Sequence, residues 1–197
     1  MIIKPANYDS QEGFTGDYEV MSLGGHVCKI ERAIVEETQY GKRLIIAFDV
    51  AEGEHKGFYR RQYDRKKAQD ANAKWAGIVR QNIPTGDGSD SDNKAMGFFK
   101  GLMINIEKSN PGYTWNWDEK TLTGKLFGGV FGQEEFKTQT GEIKLATKCV
   151  QVRTVEAVRA GVEAPPVKKL KQENQQVPAG WATPPEDDQS TRLPFDI

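Results

Sequence analysis

The stretch VCKIERAIVEETQYGKRLIIAFDV, Val27 to Val50, limits the fold more than any other part of the chain. Successive side chains of an extended segment point to opposite faces. Leu44, Ile46, Phe48 and Val50 therefore share one apolar face of a strand. In the first half the same period gives two candidate faces. One carries Val27, Lys29, Glu31, Ala33 and Val35, the other Cys28, Ile30, Arg32 and Ile34. The second is the more apolar and is taken as core-facing. Residues 39–42 make the turn between the two strands, so the chain is committed to an antiparallel sheet.

Around this pair the rest of the body follows. Gly16 to Val20 also looks extended. Glu52-Gly53-Glu54 is a turn, and GFYRRQY, Gly57 to Tyr63, completes a three-stranded meander. Asp64 stands where an N-cap would, before RKKAQDANAKWAGIVRQNI. Ala68, Ala71, Trp75, Ile78 and Val79 keep helical spacing there, and Pro84 closes the element. PTGDGSDSD is a loop. Asp92 caps a second helix, in which Ala95, Phe98, Phe99, Leu102, Met103 and Ile106 keep the same period, and Asn110-Pro111-Gly112 ends it. Trp75, Phe98 and Phe99 are read as core. A hairpin of Lys125 to Phe136 and Ile143 to Thr154 closes the body, with Thr140-Gly141 in its loop. The order β-β-β-helical-β-β is mainly β. It matches a five-stranded OB-fold barrel with a helical insert, and Gly128, Gly129 and Gly132 suit the bends of a small barrel.

Composition changes near Gly161. Five of the nine prolines fall between Pro165 and Pro185, among Gln, Lys and acids, with few aliphatics. Such a segment buries too little surface to offset its ordering entropy. The division expected is an OB-fold domain over 1–160 and, over 161–197, a disordered Pro/Gln-rich linker with an acidic C-terminal tip. Trp181 in the linker has no core to join. Net charge is −1, so any anion-binding surface has to come from local patterning. The two cysteines, Cys28 and Cys149, suggest no disulfide framework. No apolar run approaches about 18 residues, and MIIKPANYDS lacks the features of a signal peptide. A cytoplasmic protein with no membrane partner is expected.

No catalytic signature stands out. The chain has two histidines and no nucleophile elbow, P-loop, HExxH or paired CxxC. His26 and Cys28 make at most half a metal site, and Asp49, Glu52 and Glu54 sit in one tight turn rather than converging from separate strands. No enzyme activity, cofactor or metal is expected.

Binding of single strands needs flat rings for base stacking and cations for phosphates. In the expected third strand Tyr59, Arg61 and Tyr63 share a face. Tyr40, Lys42 and Arg43 approach from the preceding turn. The last hairpin adds Lys125, Phe127, Lys144, Lys148 and Arg153, with Lys144, Ala146 and Lys148 on one face. Trp115 and Trp117 in YTWNWDEK point the same way if extended and are candidates for stacking beside the groove. Burial as core is their competing reading.

This body, the linker and the ending PPEDDQSTRLPFDI together resemble the single-stranded DNA-binding proteins of bacteria and phages, in a diverged phage or prophage form. The resemblance implies an OB barrel that coats single-stranded DNA without sequence preference during replication, recombination and repair, often as a homo-oligomer. It also implies a tip that recruits replication and recombination proteins, here Asp187, Asp188, Leu193, Pro194, Phe195 and Asp196. In the family the Phe is usually last; here Asp196-Ile197 follow it, and Gln-Ser-Thr-Arg separates the acids from Leu193. A recombination accessory that anneals strands or loads a recombinase fits the same residues. An OB-like protein-interaction module without DNA binding is the alternative from another class, and a nuclease is third.

Overall fold

The computed structural model of the chain describes residues 2–10 and 19–170. Five strands and three α-helices are found among them. In chain order they are β1 (Gly24–Thr38), β2 (Gly41–Val50), α1 (Phe58–Gln69), β3 (Ile78–Asn82), α2 (Asp90–Ser109), β4 (Leu126–Lys137), β5 (Ile143–Arg153) and α3 (Val155–Ala160). The strands form one antiparallel sheet in the order β3-β2-β1-β4-β5. β3 and β5 are its edges, so the sheet does not close into a barrel. It is nevertheless curled, because α2 packs against β4 and against both edge strands. No helix among the described residues is long and apolar enough to cross a membrane.

Alternation along β1 changes phase partway. Cys28 and Ile30 are buried, but so is Ala33, while Arg32 is exposed. A β-bulge between Ile30 and Arg32 is the cause. The extra residue, Glu31, leaves the ladder, and every later side chain is displaced by one step. Arg32, which strict alternation turns into the core, faces outward. On β2 Leu44, Ile46, Phe48 and Val50 are buried as expected.

The segment expected to be a third strand is a helix. Tyr59 and Tyr63 lie four residues apart, a spacing that satisfies both the period of a strand and that of a helix. Tertiary contacts decide between them. The Asp49 carboxylate accepts hydrogen bonds from the amides of Tyr59 (2.9 Å) and Arg60 (3.0 Å) at the start of α1. The N-cap residue Gly57, at φ 73°, offers no side-chain cap of its own. A buried acid on β2 thus supplies what the helix start lacks. Phe58, Tyr59 and Tyr63 are buried beneath α1.

The helix expected over 65–83 ends instead at Gln69, and residues 78–82 form β3. The Trp75 indole donates to the carbonyls of Phe48 (3.1 Å) and Gly77 (3.2 Å), and the Phe48 amide donates to Gly77 (2.8 Å). Pairing with β2 overrides the local helical spacing. A Cβ on Gly77 would lie 2.3 Å from the Phe48 oxygen, so only glycine fits this approach.

α2 ends where expected, but its N-cap is Ser89, whose side chain accepts from the Asp92 amide. The buried Asp92 carboxylate faces back to the loop and accepts from the amides of Thr85 (2.6 Å) and Gly86 (2.9 Å). Phe99 is core, whereas Phe98, expected beside it, is 71% exposed.

A second, smaller core of Val27, Val130, Val155 and Val158 lies under α3, with Leu126 and Val162 packed against it. Gly128 is needed for this packing more than for strand curvature. A Cβ there would meet the Thr154 oxygen at 2.5 Å and Val158 at 2.6 Å. The ordered chain also continues past the composition change at Gly161. Lys168 donates its amide to Gln133 (2.9 Å) and accepts from that of Glu135 (2.9 Å), so the segment lies along the free edge of β4.

Candidate nucleic-acid interface

Partners directly opposite in an antiparallel ladder point to the same face. The registers therefore give rows across β1, β2 and β3: Arg32–Ala47–Ile78, Ile34–Ile45–Arg80 and Glu36–Arg43–Asn82. Of the alternate rows, Ala33, Ile46, Val79 and Leu44 pack in the main core, as do Ala47 and Ile78 of the first row, while Val35 is 40% exposed. Arg32, Arg43 and Arg80 consequently share the outer face of three adjacent strands. Arg32 and Arg80 are exposed and Arg43 is half-buried. Ile34 and Ile45 lie between them, with Ile45 fully buried. Glu36, directly opposite Arg43, and the buried Asp49, two residues beyond Ala47 on β2, are acids on this face. α3 packs on β1 and β4, so its small core takes the other half of the same sheet side. Tyr40, 63% exposed, and Lys42 sit at the β1–β2 turn beside the arginines, Lys42 3.3 Å from Glu37.

The expected Tyr59–Arg61–Tyr63 platform does not exist. Tyr59 packs edge-on against Phe48 (5.3 Å), and burial pushes its hydroxyl pKa up. Tyr63 packs on Trp75 (5.6 Å), and Phe127 is buried against Phe48. None of these three rings can receive a base. Arg61 is exposed, but on α1, where it forms a two-pronged pair with Glu19 (2.7 and 3.1 Å) and donates to the Lys56 carbonyl.

The cations of the last hairpin are arranged as expected but already engaged. Lys144, Ala146 and Lys148 stand opposite Phe136, Glu134 and Gly132 on one face. Lys144 pairs with Glu142 (3.3 Å), and Lys148 and Lys168 both pair with Glu134 (3.4 and 3.1 Å). Arg153 donates to the Gln151 side chain (3.2 Å), and Lys125 lies 4.6 Å over the Tyr113 ring. Trp115 is half-buried and Trp117 is 70% exposed. Asp187, Asp188, Leu193, Pro194, Phe195 and Asp196 lie outside the described residues.

Arg32 and Arg80 are what sequence reasoning misses. Strict alternation buries the first, and the helical spacing of 68–79 hides the second. The bulge has no clear signature in the residues, but Val79-Arg80-Gln81 between Gly77 and Pro84 is short enough to read as an edge strand.

Elsewhere, buried His55 gathers a small polar cluster. Its Nε2 accepts from the Ser22 amide (3.2 Å) and lies 3.0 Å from the Ser22 hydroxyl, while Nδ1 faces Glu19 (3.2 Å). The Ser22 amide fixes Nε2 as the acceptor, so Nδ1 carries the proton toward Glu19. The cluster ties residues 19–22 to the body. Cys28 and Cys149 both reach the space over Gly129, and burial pushes the Cys149 thiol up to about 12 and holds the Cys28 thiol well above its ordinary value. β4 runs between their strands, a separation of about 9–10 Å that a disulfide cannot span. No group of three or more His, Cys, Asp or Glu side chains that could hold a metal ion occurs among the described residues.

No protein-family model matches the chain, and no curated protein matches it.

Proposed function

We propose that the chain binds single-stranded DNA without sequence preference, on the outer face of β1, β2 and β3. The observation that carries this reading is the grouping of Arg32, Arg43 and Arg80 on one face of three paired strands. Three guanidiniums beside the partly open Ile34 and Ile78 suit a chain with a phosphate on every residue and a flat ring between phosphates. The near-neutral net charge is no obstacle, because the cations are gathered locally. The strand order, with α2 between β3 and β4 and reaching both sheet edges, fits an OB-type barrel left open between β3 and β5. Tyr40 at the β1–β2 turn is the stacking ring nearest this face in sequence. In this reading the acidic Leu-Pro-Phe tip recruits partner proteins.

Titration with oligo-dT at two salt concentrations, followed by intrinsic tryptophan fluorescence, tests the reading. Binding that weakens steeply with salt is expected, since bound phosphates release counterions. No binding at low salt would remove the proposal. Strand annealing by the same face is the related second reading, and an annealing assay separates it from simple coating.

A further inference from the structure

We infer that the turn between α2 and β4 seats one unpaired nucleobase on Trp117, apart from the arginine face. The inference rests on the single-strand reading above. Trp117 is the one non-glycine residue with positive φ (67°) among the described residues. L-residues with bulky side chains avoid this region, and outliers of this kind gather at ligand sites. The strain holds out an indole that a relaxed backbone would place elsewhere. Its ring lies nearly parallel to Phe99, at 13° and 5.8 Å between centroids. Phe99 is buried, so the indole is supported from below, while 70% of Trp117 stays open.

Trp115 leans on both rings, 6.4 Å from Phe99 and 6.2 Å from Trp117. Its indole nitrogen is the buried side-chain polar atom without a hydrogen-bond partner among the described residues. Nucleobases combine a flat π-face with ring and carbonyl acceptors, and a strand held at the arginines carries one per phosphate.

Two acids around the turn, Glu107 and Asp118, are directed at backbone rather than at the open ring. Glu107 accepts from the Trp115 amide (2.8 Å) and Asp118 from the Lys120 amide (3.0 Å). Thr121 bonds the Tyr113 hydroxyl (2.9 Å) and the Asp118 carbonyl (2.7 Å). The seat is thus preformed, with little left to order on binding.

The test compares wild type with Trp117→Gly, using oligo-dT and an abasic oligonucleotide of equal length. Glycine accepts the positive φ, so the substitution removes the ring without straining the turn; an unchanged unfolding temperature checks this. Trp117→Gly should weaken oligo-dT binding by about 5- to 150-fold, the range of one stacked base. Its affinity for the abasic strand should match wild type, and the salt dependence of oligo-dT binding should keep its slope. Unchanged oligo-dT affinity would overturn the seat while leaving the arginine face standing. Equal loss on both oligonucleotides would also overturn it, since bases would then not be what Trp117 holds. If wild type bound neither strand, the single-strand reading itself would fail, and the seat with it.

Discussion

Glu19 belongs to neither strand nor helix, yet it fastens its segment to α1. Its carboxylate takes three hydrogen bonds from Arg61 and faces His55 Nδ1. The bond from Arg61 holds the carboxyl below its ordinary value of 4.5. A carboxyl with a lowered folded value stabilises the fold at pH above the unfolded value and loses that contribution as pH falls through the folded one. Wild type should therefore melt slightly above Glu19→Gln at neutral pH, and the gap in melting temperature should close below about pH 4. A gap that persisted at low pH would mean the pair does not act through charge. At this scale the sequence is legible wherever a residue has one plausible environment. Leu44, Ile46 and Phe48 go where their polarity sends them. Tyr59 and Tyr63 do not, because a tyrosine serves equally as core or as stacking ring, and only the Asp49 cap selects the helix that buries them.

Elements were legible in proportion to how local their determinants are. β1, β2, the last hairpin and α2 follow from alternation, turn residues and helical spacing within their own stretches. β3 depends on a partner thirty-odd positions earlier in the chain, through bonds such as Phe48 to Gly77, which local spacing does not contain. The same holds for glycines. Gly128 reads as a bend in a barrel strand, but it is the floor on which α3 rests. Gly128→Ala sets a methyl against the Thr154 carbonyl and Val158, and overpacking of this kind costs about 1–3 kcal/mol. Urea unfolding should show that loss. Gly132→Ala should cost less, because the atom it meets at 2.8 Å belongs to the Pro165 ring rather than to backbone. Equal costs would mean that α3 can move away from the sheet as easily as residue 165 can.

In the whole molecule a curled sheet keeps one side for its main core and divides the other. α3 covers the half formed by β1 and β4, and the arginines occupy the half formed by β1, β2 and β3. The division explains why the proposed anion-binding surface rests on residues that differ in large part from those the sequence suggested. The strand face it chose became α1, while the bulge and β3 brought Arg32 and Arg80 beside Arg43. The C-terminal tip belongs to this scale as well. Deleting Leu193 to Ile197 should leave oligo-dT affinity equal or higher, since the negative charge of Asp196 is removed, and should abolish capture of replication or recombination proteins. Capture that survived the deletion would take the tip out of the function.

The most direct test is the slope of log K against log salt for oligo-dT, measured on wild type and on the Arg32→Ala/Arg43→Ala/Arg80→Ala triple variant. Each phosphate contact on a single strand contributes about 0.7 to that slope, so the triple variant should be shallower by about 2. A slope equal to that of wild type, in a variant that still folds, would show that the phosphates lie somewhere other than on the β1-β2-β3 face.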